Sequence, residues 1–317
     1  MLACEQIMTA AEMEADRERW LSMRLVSIGG SDAAAIVGMN PWKSTYALWL
    51  EKTGKASEED RAGLEHVRFG NVLEEVVARE FCQREGKRVR RCGMYRSREY
   101  PFLTASFDRL LTGEEAGLEI KTSSAYNRGS WDDGEIPAHY RLQCVHYMLV
   151  SGLPRWYIAC LVGGNHYVCW EIERNEDDVN ALLDAERTFW DSVQRGAMPV
   201  LDGSESCTEA LRKRYRGGNM EPVRLPAESV GLLRRWDELR ALRREAEREA
   251  AEIQNKLCAM MGDNEIGLIG DGEDARRVSW KSIPGRVTVD GKRLKSEMPD
   301  VYEKYSKRSD GHRRFTA

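Results

Sequence analysis

The sequence lacks a long apolar run and an apolar leader. No segment approaches the roughly 18 apolar residues that a membrane helix requires, and residues 1–20 carry several acids without the apolar core of a signal peptide. We therefore expect a soluble, cytoplasmic protein with no membrane partner.

The eight cysteines also lack any paired arrangement. They are scattered along the chain, with no CxxC spacing and no tight Cys/His cluster. Thiols spaced in this way are typical of small buried residues in a reducing compartment. The spacing does not indicate a zinc site, and it excludes a four-cysteine iron–sulfur cluster.

The chain has no excess of positive charge. Charged residues make up 32% of the 317 residues, but the formal net charge is -4. A nucleic-acid site would therefore need a local concentration of basic residues. One such stretch consists of Lys87, Arg88, Arg90, Arg91, Arg96 and Arg98. It indicates either a track for duplex DNA or an edge strand protected by charge.

Hydrophobic periodicity predicts an α/β core at residues 1–198. Residues 64–86 have apolar positions at spacings of three and four, which indicate a long helix. The predicted stripe consists of Val67, Val72, Leu73, Val76, Val77 and Phe81. Strand-like runs follow at 87–97, 101–111 and 117–124, then a helix from Pro137 to Gly152, a hairpin around Gly163 and another helix at 176–195. This order predicts a central mixed β-sheet flanked by helices.

The composition changes after the predicted core. Residues 199–224 are predicted to be a linker, 225–262 a long amphipathic helix, and 263–317 a small β-containing basic segment. The helix carries apolar residues at a spacing of three, namely Val230, Leu233, Trp236, Leu239 and Leu242. This pattern favours a coiled-coil-like helix that packs on the core or on its copy in another subunit.

The segment GLEIKTSSA at 117–125 places a polar pair on an apolar strand. Glu119 and Lys121 are two residues apart, so both project from one face. A hairpin around residues 112–116 would bring Asp108 to about 5 Å from Glu119. Two carboxylates this close repel unless a cation lies between them, and oxygen ligands suit Mg²⁺ or Mn²⁺. Lys121 could then orient a water and offset phosphate charge. An exposed ion pair of little consequence is the alternative.

Five segments occur in an order that supports a family resemblance. They are SIGGSDAAAIVGMNPWKSTYALWLEKTG, FGNVLEEVVAREF, FLTASFDRLL, GLEIKTSSA and IPAHYRLQCVHYMLVSG. Over residues 20–195 the chain resembles the phage recombination exonucleases of the lambda exonuclease and YqaJ type. That resemblance implies the PD-(D/E)xK, restriction-endonuclease-like α/β fold. Phe107 stands where the superfamily motif has a proline, a departure found in many members.

The resemblance implies a metal-dependent catalytic centre. Asp108, Glu119 and the backbone carbonyl of Ile120 would bind metal, and Lys121 would be the catalytic lysine. Glu74, on the first long helix, would contact the second metal or its waters.

The resemblance also implies residues around that centre. Gln143 would lie beside the lysine. Arg24 and Ser31 would bind a terminal 5′-phosphate, because a guanidinium and a hydroxyl at a helix start are suited to binding phosphate. Trp42 is a candidate wedge or stacking platform for a DNA end. A core anchor between two helices is the alternative for Trp42.

The implied activity is that of a Mg²⁺-dependent exonuclease with two ions per site. It would degrade one strand of linear duplex DNA from a 5′-phosphorylated end and leave a 3′ single strand for recombination. The resemblance further implies a single-strand annealing protein as partner, a ring-shaped homo-oligomer as one assembly, and the cytoplasm of a bacterial host as the location if a phage encodes the chain. An endonuclease on the same fold and a DNA-binding module without catalysis stay open as alternatives.

Overall fold

The computed structural model describes residues 2–57, 63–131, 135–272, 275–307, 311 and 313–316. The chain divides into two compact units, Met1–Tyr215 and Arg216–Ala317. Within the described ranges, no helix combines the length and the apolar character needed to cross a bilayer. All eight cysteines are unpaired thiols.

The first unit contains strands and helices in the mixed order that the sequence predicts. Its strands are β1 (Cys4–Met8), β2 (Val89–Arg91), β3 (Met94–Ser97), β4 (Thr104–Ser106), β5 (Arg109–Leu111), β6 (Ala116–Ser123), β7 (Arg155–Val162) and β8 (His166–Glu173). Its helices are α1 (Ala10–Ala15), α2 (Arg17–Leu25), α3 (Gly30–Ile36), α4 (Thr45–Lys52), α5 (Glu65–Glu85), α6 (Ala138–Ser151), α7 (Glu176–Arg195) and α8 (Glu205–Arg214), with a 3₁₀ helix at Ala125–Ser130.

The main sheet has the strand order β2-β5-β6-β7-β8 among the described residues. β5 and β6 are antiparallel, β6 and β7 are parallel, and β7 and β8 are antiparallel. A parallel pair needs a long crossover, and α6 lies in that connection. The predicted central mixed sheet flanked by helices is therefore confirmed.

The two faces of β6 pack against different helices. Leu118 and Ile120 belong to a cluster with Val77 and Phe81 of α5. Glu119 points the other way and bonds to Gln143 of α6. This alternation follows from the two-residue period of a strand.

Two predicted strand runs are each divided between two sheets. Residues 87–97 supply β2 to the main sheet and β3 to a smaller sheet of order β1-β3-β4, and residues 101–111 likewise supply β4 and β5. Gly93 lies at the first crossing, where a Cβ would come within 2.0 Å of the carbonyl oxygen of Met8. Asp108 lies at the second crossing, between β4 and β5.

The stripe predicted on α5 is only partly buried. Val77 and Phe81 are buried, whereas Val72 and Val76 are 59% and 52% exposed. Each residue turns a helix by about 100°, so these two pairs face different directions. Only the side with Val77 and Phe81 packs on the sheet.

The interval predicted to be a linker contains α8, which belongs to the first unit. Cys207 and Ala210 are buried, and the backbone N–H of Ser44 donates to the Ser206 hydroxyl at 2.9 Å. The packed face of α8 consists of Cys207, Ala210 and the partly buried Leu211, and the other residues of this short helix are mostly polar, so its composition resembled that of a linker.

The second unit contains α9 (Ser229–Met261), β9 (Ile266–Ile269), β10 (Arg276–Ser279), α10 (Gly291–Glu297) and α11 (Pro299–Tyr305). β9 and β10 form an antiparallel pair. The long helix predicted at 225–262 is α9. The spacing-three stripe on it does not form one face, because each step of three falls about 60° short of a full turn.

Candidate active site

Asp108 and Glu119 lie together because β5 and β6 pair as predicted. The register places Asp108 level with Glu119, and Asp108 Oδ2 accepts a hydrogen bond of 2.8 Å from the backbone N–H of Ile120. Burial, together with the negative charges of Glu119 and Glu74, raises the pKa of Asp108 well above its ordinary value. Burial and the two neighbouring carboxylates therefore outweigh the effect of the Lys121 ammonium on Asp108.

Lys121 and Gln143 form a network with Glu119. Lys121 Nζ lies 2.5 Å from Glu119 Oε1 and donates to Gln143 Oε1 at 3.1 Å. Gln143 Nε2 donates to Glu119 Oε1 at 2.7 Å and to the Tyr147 hydroxyl at 2.6 Å. Burial lowers the pKa of Lys121, but Glu119 and Asp108 outweigh that effect and raise it above its ordinary value. Lys121 is thus an ammonium whose position is set by Gln143, and the exposed-ion-pair alternative is wrong because Glu119 is buried.

The second oxygen of Glu119 provides a test of the expected metal. Oε2 is buried and has no hydrogen-bond partner among the described residues. Such an oxygen is costly to bury, and a divalent cation shared with Asp108 would satisfy it. The donor set of two carboxylates and the Ile120 carbonyl fits Mg²⁺ or Mn²⁺. No three His, Cys, Asp or Glu side chains in the described residues form a metal-holding group on their own, so main-chain and water oxygens would have to complete the shell.

Glu74 approaches this region from α5, but its carboxylate is bound by Arg109. Arg109 Nη1 pairs with Glu74 Oε1, and Nη2 lies 3.1 Å from Glu75 Oε2. The same Nη1 donates to the backbone carbonyl of Asp108 at 2.8 Å, and the Arg109 side chain is only 4% exposed. Sequence reasoning missed Arg109, although a cation directly after Asp108 and opposite two adjacent glutamates was available as a clue.

An aromatic row leads away from Lys121. Lys121 Nζ lies 4.9 Å from the centre of the Tyr140 ring, and the rings of Tyr140 and His139 have centroids 4.0 Å apart. His139 meets Trp42 edge to face at 4.9 Å. Trp42 is 57% exposed, so the core-anchor alternative is wrong. Tyr140 was also missed, although it precedes Gln143 by three residues and therefore shares its helix face.

Arg24 and Ser31 are brought together as the resemblance implies. Arg24 Nη2 donates to the Ser31 hydroxyl at 3.2 Å, and the guanidinium lies 4.8 Å from the centre of the Trp20 ring. A Cβ on Gly30 would come within 2.5 Å of the Tyr147 ring. The start of α3 therefore packs directly on the tyrosine that binds Gln143.

A buried ion pair holds the chain before α3. Lys52 Nζ lies 2.7 Å from Asp32 Oδ2 and donates to the backbone carbonyls of Arg24 and Ser27, each at 2.7 Å. Burial opposes ionisation of Asp32, but the charges of Lys52 and Arg24 prevail and lower its pKa to about 2. All three ammonium protons of Lys52 thus bind the segment that carries Arg24 and Ser31.

The basic stretch at 87–98 is partly neutralised. Its ion pairs are Lys87–Glu114 at 2.8 Å, Arg91–Glu14 at 2.6 Å and Arg96–Glu5 at 2.6 Å. The stretch spans two sheets, and β2 is an edge strand of the main one. These facts favour the protected-edge interpretation over a duplex track.

The fold and the site together define an α/β protein in which a buried carboxylate and an ammonium on one central strand lie beside a half-buried carboxylate at the start of the neighbouring strand. A family model described as the YqaJ-like viral recombinase domain matches residues 19–154. The protein YqaJ of Bacillus subtilis (strain 168), described as uncharacterized, is 40% identical over 312 residues, which cover 96% of this chain and 95% of that protein. The chain belongs to the YqaJ-like viral recombinase family, as the resemblance predicted.

Solved structures of similar chains include two exonucleases. An alkaline exonuclease from Laribacter hongkongensis has a TM-score of 0.48 and 17% identity, covering 57% of this chain and 94% of that one. The same exonuclease in complex with dAMP has a TM-score of 0.49 and 18% identity over the same shares. A phage-related exonuclease from Haemophilus somnus 129PT has a TM-score of 0.39 and 16% identity, covering 54% of this chain and 96% of that one.

Proposed function

We propose that this protein is a metal-dependent nuclease that hydrolyses phosphodiester bonds of DNA. The observation that carries the proposal is the buried Glu119 beside the half-buried Asp108, with an unpartnered Glu119 oxygen on one side and the Lys121 ammonium on the other. A carboxylate pair of this kind is suited to a hard cation, and an adjacent ammonium is suited to a phosphate. Membership of a viral recombinase family supports DNA as the substrate.

The metal would be held by Asp108, Glu119 and the carbonyl of Ile120, with Glu74 contacting a second ion or its waters. When bound, Mg²⁺ or Mn²⁺ supplies a Lewis acid for the phosphodiester and for the attacking water. Because Arg109 already binds the Glu74 carboxylate, we expect Glu74 to contact a water of the second ion rather than to bind that ion directly.

The protein's own groups position and stabilise the reacting phosphate. Lys121 Nζ carries its protons, so it acts by donating hydrogen bonds to the water and by balancing negative charge on the phosphate. Gln143 holds Lys121 and Glu119 at the same time, which fixes the ammonium against the strand. The hydroxyl of Tyr147 in turn fixes the amide of Gln143.

The mode of action that we infer is exonucleolytic, from a 5′-phosphorylated end. Arg24 and Ser31 offer a guanidinium and a hydroxyl 3.2 Å apart, which suits a terminal phosphate. Trp42 offers an exposed ring on which the end base pair can stack. Digestion of one strand would leave a 3′ single strand for recombination, to be received by a single-strand annealing protein.

The test uses purified protein, Mg²⁺ and three DNA substrates: a labelled linear duplex with 5′-phosphate, the same duplex without it, and a covalently closed circle. Loss of the linear forms alone, faster with the phosphate, is expected. Nicking of the circle would mean that the protein is an endonuclease. No cleavage of any substrate would mean that it is a DNA-binding module without catalysis. Arg24→Ala is expected to equalise the two linear substrates without abolishing cleavage.

The site assignment is tested with Glu119→Gln and Lys121→Ala. Both are expected to lose activity, whereas the matched control Glu173→Gln, an exposed residue at the end of β8, is expected to keep it. Glu119→Gln should also lose the rise in melting temperature that Mg²⁺ or Mn²⁺ gives to the wild type, because a ligand that binds only the folded state stabilises it. A fully active Glu119→Gln or Lys121→Ala would overturn the assignment.

A further inference from the structure

Helix α9 of the second unit carries an unbroken heptad stripe along its 33 residues. The stripe, called here the α9 seam, alternates steps of four and three through Leu232, Trp236, Leu239, Arg243, Ala246, Ala250, Ile253, Leu257 and Met260. Alternating steps of four and three keep a stripe on one side of a helix, which is the pattern of a coiled coil. The α9 seam spans four heptads.

Within the second unit, the α9 seam is largely exposed. No residue of α9 is buried, and Leu232, Leu239, Ile253 and Met260 are exposed. Trp236 touches Phe315 edge to face at 5.5 Å between centroids but is still 44% exposed. At 1.5 Å per residue the seam is about 40 Å long, and a stripe of that length that is apolar except at Arg243 marks an interaction surface.

We propose that α9 pairs with α9 of a second copy of this chain as an antiparallel two-stranded coiled coil. Its centre lies between Arg244 and Glu245. Two features favour a second α9 in the antiparallel direction. They are the sizes of the side chains along the α9 seam and the charges beside it.

The side chains of the α9 seam are complementary to the same seam reversed. At the centre of the antiparallel pairing Leu239 faces the partner's Ala250 and Arg243 faces the partner's Ala246, so these large side chains meet small ones, whereas nearer the ends Leu232 faces the partner's Leu257. Trp236 faces the partner's Ile253. A parallel pairing would instead place Arg243 against the partner's Arg243 in the interface, which is costly for two like charges.

The charges beside the α9 seam select the same direction. Arg240 and Glu247 flank the seam, and the antiparallel pairing sets Arg240 next to the partner's Glu247 twice, by symmetry. A parallel pairing would set Arg240 next to the partner's Arg235, and like charges there are unfavourable. The antiparallel pairing also brings Arg235 near the partner's Lys256.

That last contact between like charges is offset within each helix. Arg235 pairs with Glu238 at 2.9 Å, and Lys256 pairs with Glu252 at 2.6 Å. Each cation therefore enters the pairing with its own carboxylate beside it, and both sites are exposed enough for solvent to screen them.

Sedimentation velocity of the full chain over a range of concentrations tests the proposal. The wild type is expected to self-associate. Arg240→Glu and Glu247→Arg should each raise the dissociation constant by about tenfold, because each turns two attractive contacts per dimer into repulsive ones. The double variant, with both charges exchanged, should associate more tightly than either single variant, and recovery is partial because Glu247→Arg also breaks the 3.3 Å ion pair between Glu247 and Arg243 of the same helix. Arg248→Glu is the matched control, because Arg248 lies on the side of α9 opposite the seam, and it should leave association unchanged.

Three results would overturn the proposal. A wild type that stays monomeric removes the pairing altogether. Stronger association of Arg240→Glu would select the parallel direction. Equal dissociation constants for wild type and all variants would place self-association on another surface or show α9 packed within its own chain. Circular dichroism of each variant checks that the change in charge leaves the helix content intact.

Discussion

Removing the negative charge of Glu186 is expected to destabilise the first unit, most strongly at acidic pH. His146 Nδ1 lies 2.7 Å from Glu186 Oε1, and His146 Nε2 lies 2.9 Å from the backbone carbonyl of Thr104. Both side chains are 0% exposed. With an acceptor at each ring nitrogen, the imidazole is doubly protonated and joins α6, α7 and β4. It therefore also fixes the helix that carries Gln143.

The size of the effect follows from the burial of this pair. Glu186→Gln keeps the shape and one acceptor but leaves a buried imidazolium without its counter-charge. Breaking a buried ion pair costs about 3–5 kcal/mol, and because an imidazole can release its proton we expect the lower end, about 3 kcal/mol. For a unit of this size that corresponds to a fall in Tm of roughly 6–12 °C.

The pH dependence has a definite sign. Burial lowers the pKa of His146, but Glu186 and the Thr104 carbonyl outweigh it and raise the pKa above its ordinary value. The pair therefore stabilises fully below the unfolded pKa of about 6.5 and loses this contribution as the pH rises through the folded pKa. In Glu186→Gln no counter-charge offsets the burial of His146, so protonation of the imidazole opposes folding. The difference in Tm between the two proteins should be widest near pH 5.5 and narrow towards pH 9.

Differential scanning fluorimetry across that pH range measures the difference. Glu209→Gln, an exposed position on α8, is the matched control and should follow the wild type at every pH. A Tm difference that is constant with pH, or that widens at alkaline pH, would refute the charged pair. A difference below 1 °C throughout would refute the estimate of its strength.

Local periodicity accounts for what the sequence predicted well. The two-residue period of a strand is enough to separate Glu119 and Lys121 from Leu118 and Ile120, and the structure shows these pairs on opposite faces of β6. The turn at residues 112–116 is enough to bring Asp108 level with Glu119. Helix ends at Gly86 and Gly152 were similarly readable, because both glycines adopt the left-handed conformation that ends a helix.

Contacts between distant residues account for what was missed. The Arg109 pair with Glu74 joins residues 35 positions apart, and no local pattern marks it. Periodicity shows that α5 has apolar residues, but only the sheet decides that Val77 is buried and Val76 is exposed. The division of two strand runs between two sheets likewise depends on pairing with β1, a strand that the sequence did not suggest.

Three further substitutions test how the elements around the candidate site are held. Gly30→Ala would place a methyl group 2.5 Å from the Tyr147 ring, so we expect α3 to shift and thermal unfolding to show a loss of about 1–3 kcal/mol; an unchanged Tm would contradict this close packing. Lys52→Met leaves Asp32 buried without its cation and should cost about 3–5 kcal/mol at neutral pH. The pKa of Asp32 is about 2 in the folded protein and about 3.9 in the unfolded chain. The difference in stability between the wild type and Lys52→Met should therefore be complete above pH 3.9 and should disappear in acid titrations as the pH falls towards 2. Gln143→Leu removes the amide that accepts a hydrogen bond from Lys121, so under the proposed function we expect DNA cleavage to fall about 100-fold. The thermal shift caused by Mg²⁺ should survive in Gln143→Leu, because both carboxylates are intact, and loss of that shift would mean that the amide is needed to form the metal site itself.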